Sequence, residues 1–157
     1  YFRSGSPDAA AAATEAPTPR LNGAPILVDR NDYLGVRMAC DALAEDFGRV
    51  TQGPPSVVRA VVDSSSSSSS DSADTATGET VIIVGSLASS GLIRTLVDRG
   101  QLRVDRIRGK WESFCTAVVE RPACAPGFRT AFVIAGSDKR GAIFGVYTLS
   151  EQIGVSP

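Results

Sequence analysis

Polar side chains of both charges lie close together between Gly136 and Gly141, in the segment GSDKRG. General acid–base catalysis needs a proton donor and a proton acceptor in one pocket, and this segment holds one carboxylate, Asp138. It instead predicts the start of a helix, with Ser137 or Asp138 as the N-cap. Because cations at a helix N-terminus oppose the helix dipole, Lys139 and Arg140 are expected to find partners, either Asp138 and backbone carbonyls or acids on another domain.

A glycine-containing loop from Gly85 to Gly91, GSLASSG, precedes a predicted helix. Backbone N–H groups at such a place can bind phosphate. The loop lacks the G-x-G-x-x-G spacing of dinucleotide sites and the Lys-Ser/Thr pair of a P-loop. The sequence therefore favours an ordinary strand-to-helix turn over nucleotide binding.

The sole tryptophan, Trp111, stands between a cation and an acid in GKWES, just before a predicted strand. An exposed aromatic ring there would stack on a sugar or pack against a neighbouring domain, and a buried one would belong to the core. The sequence favours either kind of packing over sugar contact.

Metal and redox chemistry have little support in this chain. It has no histidine and three cysteines, which cannot fill a four-ligand zinc site, so we predict no metal and no cofactor. Cys40 falls in a predicted helix, Cys115 in a strand and Cys124 in a loop. They are interpreted as buried or idle thiols, and a Cys115–Cys124 disulfide stays open as an alternative in a secreted protein.

The charge balance narrows the classes of binding partner, and the apolar runs limit the length of the buried elements. Sixteen basic and seventeen acidic residues, without a basic cluster, argue against nucleic acid or an anionic membrane as a partner. The longest apolar runs, such as Val81–Val84, have the length of strands. Because the chain starts at Tyr1 and stops at Pro157, just after a helix predicted to end at Gly154, we expect it to be part of a longer polypeptide.

Apolar periodicity predicts the element order β, α, β, β, α, β, β, α. The fold class expected is α/β, a mixed β-sheet with helices packed on its faces. An all-parallel Rossmann sheet fits less well, because the strand pairs 56–62 with 80–85 and 113–120 with 129–135 lack crossover helices. The other predicted elements are a strand at 25–29, an amphipathic helix from Val36 to Val50 capped by Asn31 or Asp32, a short helix ended by Gly100, and a last helix whose buried stripe is Ile143, Val146, Leu149 and Ile153.

Two polar segments lie outside the predicted core. Residues 1–24 contain an alanine run and prolines and are expected to be a flexible lead-in to one domain, 25–157. Residues 63–79, with seven consecutive serines from Ser64 to Ser70, are expected to be an exposed, disordered insertion. A tolerated loop expansion is favoured over a carrier of O-linked sugar.

Four segments together resemble a known enzyme family: Ile26–Thr51, VIIVGSL at 81–87, GKWESF at 109–114 and VIAGSDKRGAIFGVYTLSEQIGVSP at the end. They are similar, in order and spacing, to the N-terminal region of glycoside hydrolase family 115. The resemblance covers Ile26–Pro157 and is interrupted by the serine insertion. RGAIFGVYTLSEQ also resembles the small α/β domains that precede the barrels of β-hexosaminidases and other α-glucuronidases.

The resemblance implies a secreted xylan α-1,2-glucuronidase that removes glucuronic acid or its 4-O-methyl ether by inversion. It implies that the catalytic residues lie in a (β/α)₈ barrel after residue 157, where an acid and a base stand about 6.5–9.5 Å apart. No catalytic residue is assigned here, and the isolated chain is expected to be inactive. Trp111, Asp138, Lys139 and Arg140 become candidate interface residues with that barrel, and glucuronoxylan is a partner through the whole enzyme. The alternative is a carbohydrate-binding module that contacts xylan through Trp111.

Overall fold

The computed structural model describes residues 20–21, 23–61 and 78–155, which form five strands and three helices in the predicted order. They are β1 (Ile26–Asp29), α1 (Leu34–Thr51), β2 (Val58–Val61), β3 (Gly78–Ser86), α2 (Gly91–Asp98), β4 (Phe114–Glu120), β5 (Phe128–Gly136) and α3 (Lys139–Gln152). Most of the predicted lead-in, the serine run and Pro157 lie outside the described residues. Within the described part, none of the helices is long and apolar enough to cross a bilayer.

The strands form one mixed sheet in the order β2-β1-β3-β5-β4. Strands β2, β1, β3 and β5 are parallel, and β4 pairs antiparallel with β5. The predicted α/β fold with a mixed sheet is therefore confirmed.

The expected pairing of residues 56–62 with 80–85 is not found. Strand β1 lies between β2 and β3, and both run parallel to it. The reason is that α1 supplies a crossover from β1 to β2, which places β2 at the edge, while β3 takes the opposite side of β1. The other expected pair, 113–120 with 129–135, is found as the antiparallel pair β4–β5, whose connection is short.

The central strand β3 is buried on both faces, because helices cover both sides of the sheet. Its residues alternate: Ile82 and Val84 join the core under α1 and α3, and Val81 and Ile83 join the core under α2. This explains why VIIV is a continuous apolar run rather than an alternating one. The second core is completed by the segment after α2, through Leu102, Val104 and Ile107.

Helix α3 packs on the sheet through a stripe close to the predicted one. Val146 and Leu149 are buried, whereas Ile143 and Ile153 are half-buried at the margins. Gly145 allows close contact, since an added Cβ would collide with Ile134 and approach Phe114 to 3.1 Å. The missing side chain at Gly145, together with the apolar stripe, therefore sets how closely α3 packs on the sheet.

Helix α1 departs from its prediction at both ends. Its N-cap is Tyr33, without a side-chain cap bond, and not Asn31 or Asp32. Val50 is exposed in the last turn. Asp32 does not cap the helix because its carboxylate is engaged with β3, as described below.

The carboxyl ends of β1, β3 and β5 lie at one edge of the sheet, called here the carboxyl edge. Helix α1 leaves β1 toward β2, and α2 leaves β3 toward the other side of the sheet. The gap between β1 and β3 is therefore the topological switch point, where ligands of open α/β sheets commonly bind. Because β4 is antiparallel, its beginning also lies at this edge, beside the start of α3.

Candidate functional site

Residues 109–113, called here the Trp111 loop, are bound to the loop between β5 and α3 by backbone and side-chain hydrogen bonds. The pairing of Phe114 with Gly136 brings the two loops side by side. Ser137 N donates to Ser113 O at 2.7 Å, and Ser113 N donates to Ser137 Oγ at 3.0 Å. Gly141 lies so close to Ser113 that any side chain there would collide with its backbone.

Asp138 is the N-cap of α3, which settles the choice between Ser137 and Asp138. Its Oδ1 accepts from Gly141 N at 2.7 Å, and its Oδ2 accepts from Glu112 N at 3.1 Å. The bond from Gly141, followed by that from Glu112, holds the pKa of Asp138 below its ordinary value. A carboxylate that accepts N–H donors on both oxygens and has a lowered pKa is a poor general base, so its role here is to join two loops.

Arg140 forms an ion pair with Glu112, a residue of the Trp111 loop. Its Nη1 donates to Glu112 Oε1 at 2.6 Å, and both side chains stay largely in solvent. Glu112 has a φ of 50°, in the left-handed region that non-glycine residues seldom adopt. The predicted need of Arg140 for a partner is thus met within the chain, by an acid that the sequence analysis did not name.

Lys139 differs from its neighbour. It is exposed at the first position of α3, and among the described residues no carboxylate forms an ion pair with it. Its ammonium group opposes the helix dipole without local compensation. Lys139 is therefore the cation of this cluster that is available to a partner.

Trp111 is 87% exposed, the highest value among the exposed large apolar side chains of the described chain. This excludes ordinary core packing and leaves the interpretations of interdomain packing and sugar contact. Its carbonyl accepts from Ser113 Oγ at 3.0 Å, and the next residue is held by Asp138 and Arg140. The ring is therefore presented to solvent by a backbone that is tied down on its C-terminal side.

The glycine loop from Gly85 to Gly91 is closed by the protein's own carboxylates. Asp29 Oδ2 accepts from Gly91 N at 2.6 Å, at the N-terminus of α2. Ser90 caps the same helix by accepting from Ile93 N at 3.3 Å. Because an internal carboxylate occupies the place of a phosphate, the geometry supports the strand-to-helix turn and not a nucleotide site.

The switch point between β1 and β3 is closed in a similar way. Asp32 Oδ2 accepts from Ser86 N at 2.9 Å, and its Oδ1 accepts from Ser86 Oγ at 2.7 Å. Both residues are buried. These bonds tie the turn after β1 to the end of β3, at the place where other α/β sheets offer a crevice to ligands.

Metal and thiol chemistry find no site in the described part of the chain. It holds no group of three or more His, Cys, Asp or Glu residues placed to bind a metal. The three cysteines are thiols rather than halves of a disulfide, so the Cys115–Cys124 bridge is not formed. Burial raises the pKa of Cys40 to about 12 and also raises the pKa of Cys115, which makes both thiols poor nucleophiles.

The fold resembles part of a known glycosidase. The described structure is similar to a solved family GH115 4-O-methyl-α-glucuronidase with specificity for decorated arabinogalactans, at a TM-score of 0.57 and 24% sequence identity. The match covers 87% of this chain and 14% of that enzyme. No family model matches the sequence, and no curated protein is significantly similar to it. At this identity the likeness shows the shared fold.

Sequence reasoning missed Glu112, Asp29 and Asp32 as parts of the carboxyl edge. Asp29 and Asp32 carried a usable signal, because Asp29 ends the first buried strand and Asp32 follows it, at the edge where the carboxyl ends of parallel strands lie. Glu112 carried none, since its bond to Arg140 depends on the register of β4 against β5.

Proposed function

We propose that this chain is a non-catalytic domain of a secreted glycoside hydrolase that releases glucuronic acid or its 4-O-methyl ether from xylan side branches. Support comes from the sequence resemblance to family 115 and from the fold likeness to a 4-O-methyl-α-glucuronidase. The chain spans 14% of that enzyme's length, in keeping with one domain among several. Inverting hydrolysis by a separate barrel would supply the chemistry.

The observation that carries this proposal is that carboxylates at the carboxyl edge are already occupied. Asp29 accepts the N–H of Gly91, and Asp32 accepts the buried N–H and O–H of Ser86. Asp138 accepts two N–H donors, and Glu112 binds Arg140. An inverting glycosidase needs one carboxyl group that gives a proton and another that activates water across an open gap. A set of carboxylates committed to holding loops together favours a structural domain.

The surface proposed to contact the rest of the enzyme is centred on Trp111 and Lys139. Tryptophan is among the residue types most enriched at the energetically dominant positions of protein interfaces, and Trp111 is almost fully exposed in this chain. Within the described chain, Lys139 adds an unpaired positive charge beside it, which would suit an acidic surface, whereas the charge of Arg140 is paired with Glu112. Asp138 belongs to this surface as the residue that fixes the two loops.

The first experiment compares the activity of the isolated chain with that of the longer polypeptide. The isolated chain and the longer polypeptide are assayed for release of 4-O-methylglucuronic acid from glucuronoxylan and from glucuronidated arabinogalactan. We expect product from the longer polypeptide alone. Product from the purified isolated chain, above that of a mock preparation, would refute the non-catalytic role, and product from neither would refute the enzyme assignment.

The second experiment tests the surface in the longer polypeptide. Trp111→Ala and Lys139→Glu are expected to lower its melting temperature or activity, while leaving the isolated chain at least as stable as before, because an acid at the start of α3 is favoured by the helix dipole. The matched control is Arg94→Glu, an exposed residue of α2 on the other side of the sheet. Equal effects of all three changes, or no effect of any, would contradict an interface at Trp111 and Lys139.

A carbohydrate-binding module is the second candidate, favoured by the exposure of Trp111 on a fixed loop. Aromatic rings so presented stack on sugar faces. The isolated chain would then bind insoluble xylan, and Trp111→Ala would abolish binding without unfolding. Tyr147→Ala, at an aromatic residue that is 55% exposed on α3, is the control. No retention of the unaltered chain on xylan would end this candidate.

A further inference from the structure

A concave surface lies at the edge of the sheet opposite to the Trp111 loop. It is an open cleft of about 500 Å³, formed by the β4–β5 connection and the first residue of β3. Its lining includes Arg121, Arg129, Pro122, Pro126 and Phe128. We call it the arginine cleft.

The two arginines occupy opposite backbone positions at the end of the β4–β5 ladder, and both line the cleft. Glu120 pairs with Thr130, and one step further Arg121 N donates to Arg129 O at 2.7 Å. In the described chain neither guanidinium forms an ion pair with a carboxylate, so both positive charges are available to an anionic ligand.

The backbone that carries Arg121 is held in an uncommon conformation. Arg121 has a φ of 48°, in the left-handed region. Gln101 fixes the loop: its Nε2 donates to Arg121 O at 3.0 Å, and its Oε1 accepts from Ala123 N at 2.8 Å. Backbone strain of this kind is concentrated at binding and catalytic sites, where the surrounding contacts maintain it. The loop is thus arranged before any ligand arrives.

We propose that the arginine cleft binds the carboxylate of a uronic acid residue, as a site separate from the place of hydrolysis. Both arginine side chains are exposed, and a guanidinium offers charge-assisted donors that match the geometry of a carboxylate. Pro126, an exposed residue of the same lining, places apolar surface beside them that suits the C–H groups of a sugar ring. The choice of a sugar acid rests on the proposed function, whereas the affinity for an oxyanion rests on the arginines alone.

The test is a titration of the isotopically labelled 157-residue chain, followed by amide NMR. The ligands are glucuronate, glucose and sulfate, at constant ionic strength because salt screens such charges. Saturable shifts confined to residues 121–129 and their neighbours are expected with glucuronate, with a dissociation constant of about 1 mM or weaker. Glucose, which lacks the carboxylate, is expected to leave these amides unchanged.

Variants assign the effect to the two arginines. Arg121→Gln and Arg129→Gln are each expected to weaken glucuronate binding by about tenfold or more. Arg94→Gln, an exposed arginine of α2, is the matched control and should bind as the unaltered chain does. If one variant fails to fold, the other and the ligand series still decide the matter.

Three outcomes would overturn the proposal. They are unchanged spectra with glucuronate, equal shifts with glucose, and binding of sulfate as tight as that of glucuronate, which would make the cleft a general oxyanion site. The proposed function is judged separately, by product release from the longer polypeptide. If the longer polypeptide is active but glucuronate shifts no amide of this cleft, only the proposal of glucuronate binding is refuted. If glucuronate binds in the cleft but the longer polypeptide releases no product, only the enzyme assignment is refuted.

Discussion

Asp32, in the turn after β1, accepts two buried hydrogen bonds from Ser86, the last residue of β3: one from Ser86 N at 2.9 Å and one from Ser86 Oγ at 2.7 Å. The two residues are 54 positions apart in sequence, and they meet at the switch point of the sheet. A buried carboxylate is costly unless it is fully hydrogen-bonded. The pair therefore makes the carboxyl edge rigid at the place where related sheets leave an opening.

Asp32→Ala is expected to lower the free energy of unfolding by about 2–4 kcal/mol, because it leaves the Ser86 donors buried without an acceptor. Urea denaturation monitored by circular dichroism measures the change. Asp41→Ala, at an exposed position of α1, should alter stability by less than about 0.5 kcal/mol. Similar losses in both variants would contradict a specific role for the Asp32–Ser86 bonds.

Gly141→Ala tests the close contact between α3 and the Trp111 loop. The added Cβ would collide with the backbone of Ser113, which cannot move without breaking the pairing of the two loops. We expect a loss of about 1–3 kcal/mol in the free energy of unfolding, despite the better helix propensity of alanine.

Gly35→Ala is the matched change in the other long helix. There the nearest atom to a new Cβ is the end of the flexible Ile143 side chain, at 3.3 Å. Alanine should be tolerated at this position, within about 1 kcal/mol. If Gly141→Ala were tolerated as well as Gly35→Ala in thermal denaturation, the loops would not be in the close contact described.

Local pattern was sufficient to predict the strands and helices, whereas the distant pairings that build the sites were not predictable. The run VIIV in β3 and the stripe of Val146 and Leu149 in α3 follow from burial on two faces and on one face. The position of β2 in the sheet depends on the side of β1 to which the α1 crossover leads. The residues of β2 do not encode that side. The bond between Glu112 and Arg140 spans 28 positions and needs the exact β4–β5 register.

Because the pKa of Asp138 is lowered in the fold, the free energy of unfolding should depend on pH in the acid range. Because the native state binds the proton less tightly than the unfolded chain does, Asp138 stabilises the fold above the unfolded pKa, near 4. That contribution is lost as the pH falls from about 4 through the native pKa. A carboxyl NMR titration should place the Asp138 midpoint below the ordinary value, and Asp138→Asn should reduce the loss of stability in this range. A midpoint at or above the ordinary value would contradict the two N–H bonds.

Cys40 provides a second pH dependence, at the alkaline end. Burial raises its pKa from 9.0 to about 12, so the unfolded chain loses the proton first. Stability present below pH 9 should decline as the pH rises from about 9 to 12, and Cys40→Ala should remove that part of the decline.

The same burial protects the Cys40 thiol. In the folded chain, alkylation at pH 8 followed by mass spectrometry should leave Cys40 unmodified, and urea should expose it. The half-buried Cys115 serves as the internal comparison, since it should be modified sooner. Modification of Cys40 at the rate of Cys115 in the native protein would contradict its place in the core.

Trp111 offers a direct optical test, because it is the sole tryptophan of the chain. With 87% of its surface exposed, its fluorescence should be quenched by acrylamide nearly as well as that of a free indole, and unfolding should hardly shift its emission. Trp111→Ala should change the free energy of unfolding of the isolated chain by less than about 0.5 kcal/mol, since little apolar contact is lost. Leu92→Ala, at a residue with 2% exposure, should cost about 2–5 kcal/mol in the same assay and shows that a core loss would be detected.

Blue-shifted emission that moves to the red in urea would mean that the ring is buried within this chain. If the longer polypeptide shows blue-shifted emission from this tryptophan and weaker quenching, after its other tryptophans are replaced, the ring is covered by a partner domain, as the proposed interface requires.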